Sequence, residues 1–254
     1  MTNRNSPHYL LIGSGRLATH LHHYFLEEGI VCKSWCRARD PQMKELKDLV
    51  NWADVVMLLI SDRSLDDFYT EHLSSFPAKK IVHCSGSHRH PKMLGFHPLM
   101  SFSSGTLYPL DTYRSMAFVG DTPSQTFRQW FSQLDNPYFQ IGAEDRAYYH
   151  CLCVLSGNLS TWLWQEVVKR MEGQLNIPRW ALWPYMDRLA ANLKEDLEKA
   201  LTGPVVRGDQ ITIVENRAAL IEKGDLSLED LYQSFVRGVQ KPRVGANHED
   251  ENSF

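Results

Sequence analysis

Residues 9–18, Tyr-Leu-Leu-Ile-Gly-Ser-Gly-Arg-Leu-Ala, constrain this chain more than any other stretch. An apolar run of strand length, Tyr9 to Ile12, ends in Gly13-x-Gly15-x-x-Ala18, and apolar residues at helical spacing follow at once. Gly13 lets the chain leave a strand in a tight turn. Gly15 has no side chain, so a pyrophosphate can come close to the backbone. Ala18 is small enough for a helix to pack tightly on its strand. The start of that helix offers free N–H groups and a partial positive charge to phosphates. Strand, glycine turn and helix in this order are what a dinucleotide-binding unit requires. Gly13, Ser14, Gly15, Arg16 and Leu17 are the residues expected to touch the cofactor.

Leu17, Leu21, Tyr24 and Phe25 recur at helical spacing, and Gly29 ends that helix. His20, His22 and His23 lie in it. His22 and His23 are sequential and point about 100° apart, so a partly exposed helix face is expected rather than a metal site. Ile30 to Cys36 reads as a second strand. Dinucleotide domains that prefer NAD usually carry an acidic residue about 20 residues beyond the glycine turn, to bond the ribose hydroxyls. This chain has Cys36-Arg37-Ala38-Arg39-Asp40 there. Arg37 and Arg39 can pair with a 2′-phosphate, which points to NADP(H); the alternative is that both are ordinary surface charges. Asp40-Pro41 suits the opening of the next helix.

Asp54 to Ser61 is apolar almost throughout, as expected of a parallel strand buried on both faces, and Ser61 sits at its ligand-binding end. Lys80 to Gly86 reads as a fourth strand. Residues 83–102 then hold His83-Cys84-Ser85-Gly86, His88, His90 and Gly95-Phe96-His97-Pro98-Leu99-Met100. Their spacing matches no zinc pattern, so no metal is assigned. Ser85 and His97 read instead as pocket-lining groups. Met116 to Gly120 and Pro137 to Ile141 read as further strands, with a helix from about 123 to 134 between them. Strands and helices alternating in this way predict a doubly wound, parallel α/β sheet over residues 1–142.

From Ala143 the periodicity changes to that of helices, expected near 144–172, 178–200, 209–223 and 227–237. The second half is therefore an all-helical domain, residues 143–237, with a polar tail over 238–254 expected to be disordered. Trp162, Trp164, Trp180 and Trp183 are a large aromatic load for it, which predicts a homodimer built through this half. His150, Val154 and Asn158 are four apart, on one helix face. Either His150 and Asn158 look into one cleft, or His150 is a satisfied core histidine. In Thr202-Gly203-Pro204-Val205-Val206-Arg207-Gly208-Asp209, a rigid loop presents Arg207, which suits a carboxylate. Asp209 could cap the next helix, and both residues could serve only to secure the loop.

Composition narrows the function classes. Over 254 residues, 43% are hydrophobic, enough for a sizeable core. No run approaches the roughly 18 apolar residues of a membrane span, and Met1 to Pro7 is not of signal-peptide type. Five cysteines without framework spacing suit a reducing, cytoplasmic setting. The net charge of −3 gives no reason to expect nucleic acid.

The glycine turn, His83-Cys84-Ser85-Gly86, His97-Pro98-Leu99, Tyr149-His150 with Asn158, and Gly203-Pro204-Val205-Val206-Arg207-Gly208-Asp209 occur in one order. Together they resemble a family of Rossmann-like proteins whose helical C-terminal half is a domain of unknown function. That family is distantly similar to ketopantoate reductases, pyrroline-carboxylate reductases and the 6-phosphogluconate and β-hydroxyacid dehydrogenases. The resemblance covers nearly all of residues 8–235. It implies an NADPH-dependent reductase of a small 2-oxo acid, ketopantoate being the leading candidate through members that resemble an alternative ketopantoate reductase of pantothenate synthesis. Two departures stand out. The wider superfamily often has a lysine four residues before the helical asparagine, where this chain has Val154. Family members often have a histidine near Asn216. With the lysine missing, His150 is the expected proton donor or orienting group, since an imidazole titrates near neutral pH. Asn158 would hold the carbonyl oxygen, Ser85 and His97 would line the nicotinamide side, and Arg207 with Asp209 would serve the substrate carboxylate. An imine reductase of the pyrroline-5-carboxylate type and a non-catalytic NADP-binding sensor or scaffold remain the alternatives.

Overall fold

The computed structural model describes residues 6–39 and 43–240. The expected helix opening at Asp40-Pro41 lies outside the described residues, as does most of the expected tail. The first half alternates strand and helix: β1 (Tyr9–Ile12), α1 (Arg16–Glu27), β2 (Cys32–Trp35), α2 (Met43–Trp52), β3 (Val55–Leu58), the short α3 (Leu65–Phe68), β4 (Lys80–His83), β5 (Leu94–Pro98), α4 (Leu110–Ser115), β6 (Phe118–Gly120), α5 (Ser124–Trp130) and β7 (Tyr138–Gln140). The strands form one seven-stranded sheet in the order β2-β1-β3-β4-β5-β6-β7. Strands β1 to β5 pair in parallel, while β6 pairs antiparallel with β5 and parallel with β7. The sheet is thus mixed at one end, where a fully parallel sheet was expected.

Side chains alternate across a strand, and here both faces are apolar. Tyr9, Leu11, Val55 and Met57 bury into one cluster with Leu21, Phe25, Phe127 and Phe131. Leu10, Ile12, Val56 and Leu58 bury into a second with Leu46, Val50, Leu65 and Phe68. Two cores on opposite faces make the sheet doubly wound. Of the three histidines in α1, His22 and His23 are partly exposed, as expected, and the exception is His20. It is buried, with Nδ1 2.7 Å from the Tyr113 hydroxyl and Nε2 3.0 Å from the Ser103 carbonyl oxygen. Helical position alone could not reveal those partners, which lie more than 80 residues away in sequence.

The rest is helical: α6 (Arg146–Cys153), a wider π-type segment (Val154–Leu159), α7 (Ser160–Leu175), α8 (Trp183–Glu195), the short α9 (Pro204–Arg207), α10 (Gln210–Glu222) and α11 (Leu226–Gln240). The chain divides into two compact units at Gln165/Glu166, later than the expected boundary at 142/143. Arg146 explains the difference. At the start of α6 its guanidinium donates to the Ser85 and Gly95 carbonyls, at 2.6 and 3.2 Å, and pairs with Asp121 at 3.2 Å. It thereby fixes α6 to the ends of β4, β5 and β6. Within the C-terminal unit, Arg170 bridges Glu166 and Asp225, and Arg217 holds the buried Glu229 at 2.8 Å. Helix α11 runs to Gln240, past the expected start of the tail at 238. Among the described residues no helix is long and apolar enough to cross a membrane.

Candidate active site

The glycine turn forms one wall of a cavity of about 1280 Å³. Gly13 has a φ of +143°, and a Cβ there would run into the Leu59 carbonyl oxygen. A side chain is therefore excluded twice, by backbone conformation and by space. Gly15 differs, because a Cβ on it would meet nothing within 4 Å. Its role fits close approach from the cavity side. Gly15 is also the N-cap of α1, with no side-chain cap and no acidic residue in the first turn. The helix start thus leaves its N–H groups and its positive end to an anion. Ser14, Arg16 and Leu17 line the same wall.

The cavity sits over the ends of β1 and β3, where the strand order reverses, as the β2-β1-β3 order dictates. Ile60, Ser61 and Ser64 line it from the β3 end, and the Ser61 and Ser64 hydroxyls lie 2.9 Å apart. Beyond β2 the two arginines part company. Arg37 lines the cavity. Arg39 is outside the lining and folds back, with Nε donating to Cys36 Sγ and Nη2 to Ser34 Oγ, each at 3.2 Å. That hydrogen bond holds the Cys36 thiol below its ordinary pKa.

The far wall comes from β5 and the helical segment 150–165. His97, His150, Cys153, Val154, Gly157, Asn158, Thr161, Trp162 and Gln165 line it. His150 lies so close to Gly86 that a Cβ there would overlap its ring. The π-type segment places Asn158 exposed in the wall. His97 Nδ1 lies 2.7 Å from the Tyr149 hydroxyl, and its ring stands edge-on to His150 at 5.9 Å between centroids. Burial, then electrostatic coupling to His150 and Arg146, lowers the His97 pKa to about 4, against a smaller opposing effect of Asp62. Beyond its place beside His150, Tyr149 carries no functional signal in the sequence. Arg146 gave no signal at all, because its partners are carbonyls that only the folded sheet collects.

Ser85 does not line the cavity. It is buried, its hydroxyl donates to Asp62 Oδ2 at 2.5 Å and accepts from the His88 N–H at 3.0 Å, so it organises the turn after β4. Arg207 and Asp209 belong to the C-terminal unit. Asp209 caps α10, accepting from the Thr212 N–H at 3.1 Å and the Thr212 hydroxyl at 2.8 Å, bonds that lower its pKa. Arg207 is exposed at the end of α9.

Residues 120–238 match the sequence profile of a family described as a domain of unknown function, DUF2520. The resemblance to Rossmann-like proteins with such a helical half is thereby met in the helical half itself. No curated protein matches the sequence. Solved structures show the same fold. A Bacteroides fragilis protein named as an NADP oxidoreductase is 18% identical, with a TM-score of 0.73 over 93% of this chain and 99% of its own. A Thermotoga maritima protein is 22% identical, with a TM-score of 0.67 over 91% and 96%. An imine reductase from Myxococcus stipitatus, in complex with NADP+, is 16% identical, with a TM-score of 0.60 over 91% and 93%.

Proposed function

We propose that this chain is an NADPH-dependent reductase of a small 2-oxo acid, with ketopantoate as the leading candidate substrate. The observation that carries the reading is that one cavity joins the glycine turn and Arg37 to His97, His150 and Asn158. The open space over Gly15 and the uncapped start of α1 fit a pyrophosphate. Arg37 suits a 2′-phosphate, and Ser61 lines the cavity from the β3 end, on the other side of the glycine turn. When bound, a reduced nicotinamide supplies hydride. The chain's own residues then orient the substrate and move the proton. Asn158 offers an amide N–H to the carbonyl oxygen, and His150 donates the proton that completes the alcohol.

The fold shared with imine reductases supports a second reading, reduction of a cyclic imine of the pyrroline-5-carboxylate type. One panel separates them: NADPH oxidation with ketopantoate, other 2-oxo acids and cyclic imines. Turnover confined to imines would replace the first reading by the second. Tight NADPH binding without turnover would favour a sensor.

A homodimer is part of the same proposal. The C-terminal unit leaves Trp180 69%, Leu197 72% and Ile211 75% exposed, a load typical of an interaction surface. A monomer by light scattering at micromolar concentration would rule the dimer out.

A further inference from the structure

His97 has two ring nitrogens, and the structure decides what each one does. Nδ1 faces the Tyr149 hydroxyl at 2.7 Å. Tyr149 stands outside the lining of the large cavity and lines a smaller apolar groove beside it with Leu99, Leu152, Cys153, Leu155 and Ser156. Its hydroxyl also meets the Cys153 side chain, and burial together with that contact drives its pKa far up, so it keeps its proton. That proton has two possible acceptors, an imidazole nitrogen and a sulfur. Sulfur is the weak one, so the phenol donates to Nδ1. An imidazole that accepts at Nδ1 carries its hydrogen on Nε2, the other polar atom the ring can offer to the cavity it lines.

We propose that Tyr149 locks His97 as a permanent Nε2–H donor toward the cavity, and that this donor selects substrates presenting an oxo oxygen over those presenting an iminium nitrogen. The proposal rests on the reductase reading above and names which of its two substrate classes the site is built for. The chemistry separates the classes by charge. As hydride adds to a carbonyl carbon, the two π electrons move onto oxygen. The oxygen becomes an alkoxide, held by Nε2–H, and then takes its proton from His150 while His97 keeps its own. An iminium nitrogen starts positive and ends neutral, and it has no lone pair to accept from Nε2–H. The surroundings push the same way. Buried Arg146 favours negative charge beside His97, and Asp62 is the acidic group that opposes it. Preorganised donors aimed at developing negative charge are among the strongest single contributions to catalysis.

Tyr149 is a positioning residue in this scheme, and its variant is Tyr149→Phe. Imidazole ¹⁵N NMR at neutral pH should show Nδ1 unprotonated and Nε2 protonated in the unaltered protein, and a mixture of tautomers in Tyr149→Phe. With NADP+ present, oxamate, a 2-oxo acid mimic, should move the His97 Nε2–H resonance, and pyrrolidinium, a cyclic amine cation with no acceptor atom, should not. Tyr149→Phe should lower kcat for 2-oxo acids about tenfold, with NADPH affinity and melting temperature retained. A proton on Nδ1 in the unaltered protein, an Nε2–H indifferent to oxamate, or turnover of cyclic imines above 2-oxo acids would each overturn the proposal. Failure of the reductase reading looks different: NADPH would not quench protein fluorescence, and no member of the panel would oxidise it.

Discussion

The Arg146 guanidinium fills the place that a side chain at position 95 would need. A Cβ on Gly95 would stand 2.5 Å from Nη2 and 2.7 Å from Cζ. Glycine in β5 therefore makes room for the charge that fixes α6, and with it Tyr149 and His150, to the ends of the strands. Gly95→Ala should displace the guanidinium from the Ser85 and Gly95 carbonyls and from Asp121. Arg146→Ala should leave Asp121 and both carbonyls without it. Breaking a buried, hydrogen-bonded ion pair costs about 3–5 kcal/mol, and both variants should fall toward that range by denaturant melts. A loss below about 1 kcal/mol for Arg146→Ala would mean the contacts are incidental.

Gly13 and Gly15 should fail in opposite ways. Gly13→Ala forces an L-residue to φ +143° and against the Leu59 carbonyl, so the fold should lose stability by about 2 kcal/mol or more. A Cβ on Gly15 meets no protein atom within 4 Å, so Gly15→Val should melt close to the unaltered chain while binding NADPH far more weakly. Equal dinucleotide affinity in Gly15→Val would remove the glycine turn from the cofactor site.

The two arginines beyond β2 make a sharper test of cofactor choice than the pair taken together. Arg37 lines the cavity, whereas Arg39 is engaged with Cys36 and Ser34. NADPH should bind at least about tenfold tighter than NADH, a gap of about 1.4 kcal/mol. Arg37→Ala should remove most of that gap, and Arg39→Ala should leave it largely in place. Calorimetric titration of both dinucleotides decides it, and an undiminished gap in Arg37→Ala would reassign phosphate recognition.

What the sequence disclosed and what it hid follow from the range of the interactions involved. The glycine turn, β1 and β3 were legible because their constraints are local: apolar runs, a tight turn, an immediate helix. Strand β5 shows in the sequence only as pocket lining. Gly95 and Pro98 mask its strand character, and its pairing partners are non-local. The wide π-type segment inside the expected 144–172 helix has no pattern of its own, since Gly157 fits an ordinary helix equally well at the level of sequence. Ser85 looked like a pocket residue by its place after a strand, but its partner Asp62 is 23 positions away. Asp209 was legible as a cap because capping is local.

His83 gives the fold a dependence on pH. It is 1% exposed, Nδ1 finds no hydrogen-bond partner among the described residues, and burial, then Arg146, His88 and His90, hold its pKa at about 3. Unfolded, the same imidazole titrates near 6.5. Below 6.5 the unfolded chain therefore binds a proton that the native chain refuses. The contribution of His83 is complete above 6.5 and is lost as pH falls toward 3, at up to about 1.4 kcal/mol per pH unit. Urea melts at pH 6.5 and 5.0 on the unaltered chain and on His83→Leu isolate it, because other groups titrate in both. The variant should lose less stability over that interval, and parallel losses would show that His83 does not carry the dependence.

His150 and Asn158 share the cavity wall, and their variants separate a catalytic face from a packing face. Asn158 is exposed, so Asn158→Ala removes no core contact and should melt like the unaltered protein. His150 lies against Gly86, so His150→Ala should cost some packing, but only modestly for a residue that also faces the cavity. If the proposed roles hold, each substitution should lower kcat for the 2-oxo acid by about 100-fold, the scale of a lost general acid or a misplaced carbonyl. NADPH affinity should barely change, because neither residue belongs to the glycine turn or to the Arg37 loop. Single-turnover hydride transfer and melting temperature, measured on the same preparations, make the comparison direct. A destabilised but fully active His150→Ala would make that ring a packing residue. Proton delivery would then have to come from elsewhere on the wall, because a His97 held at about 4 is too weak a base to carry a proton at neutral pH.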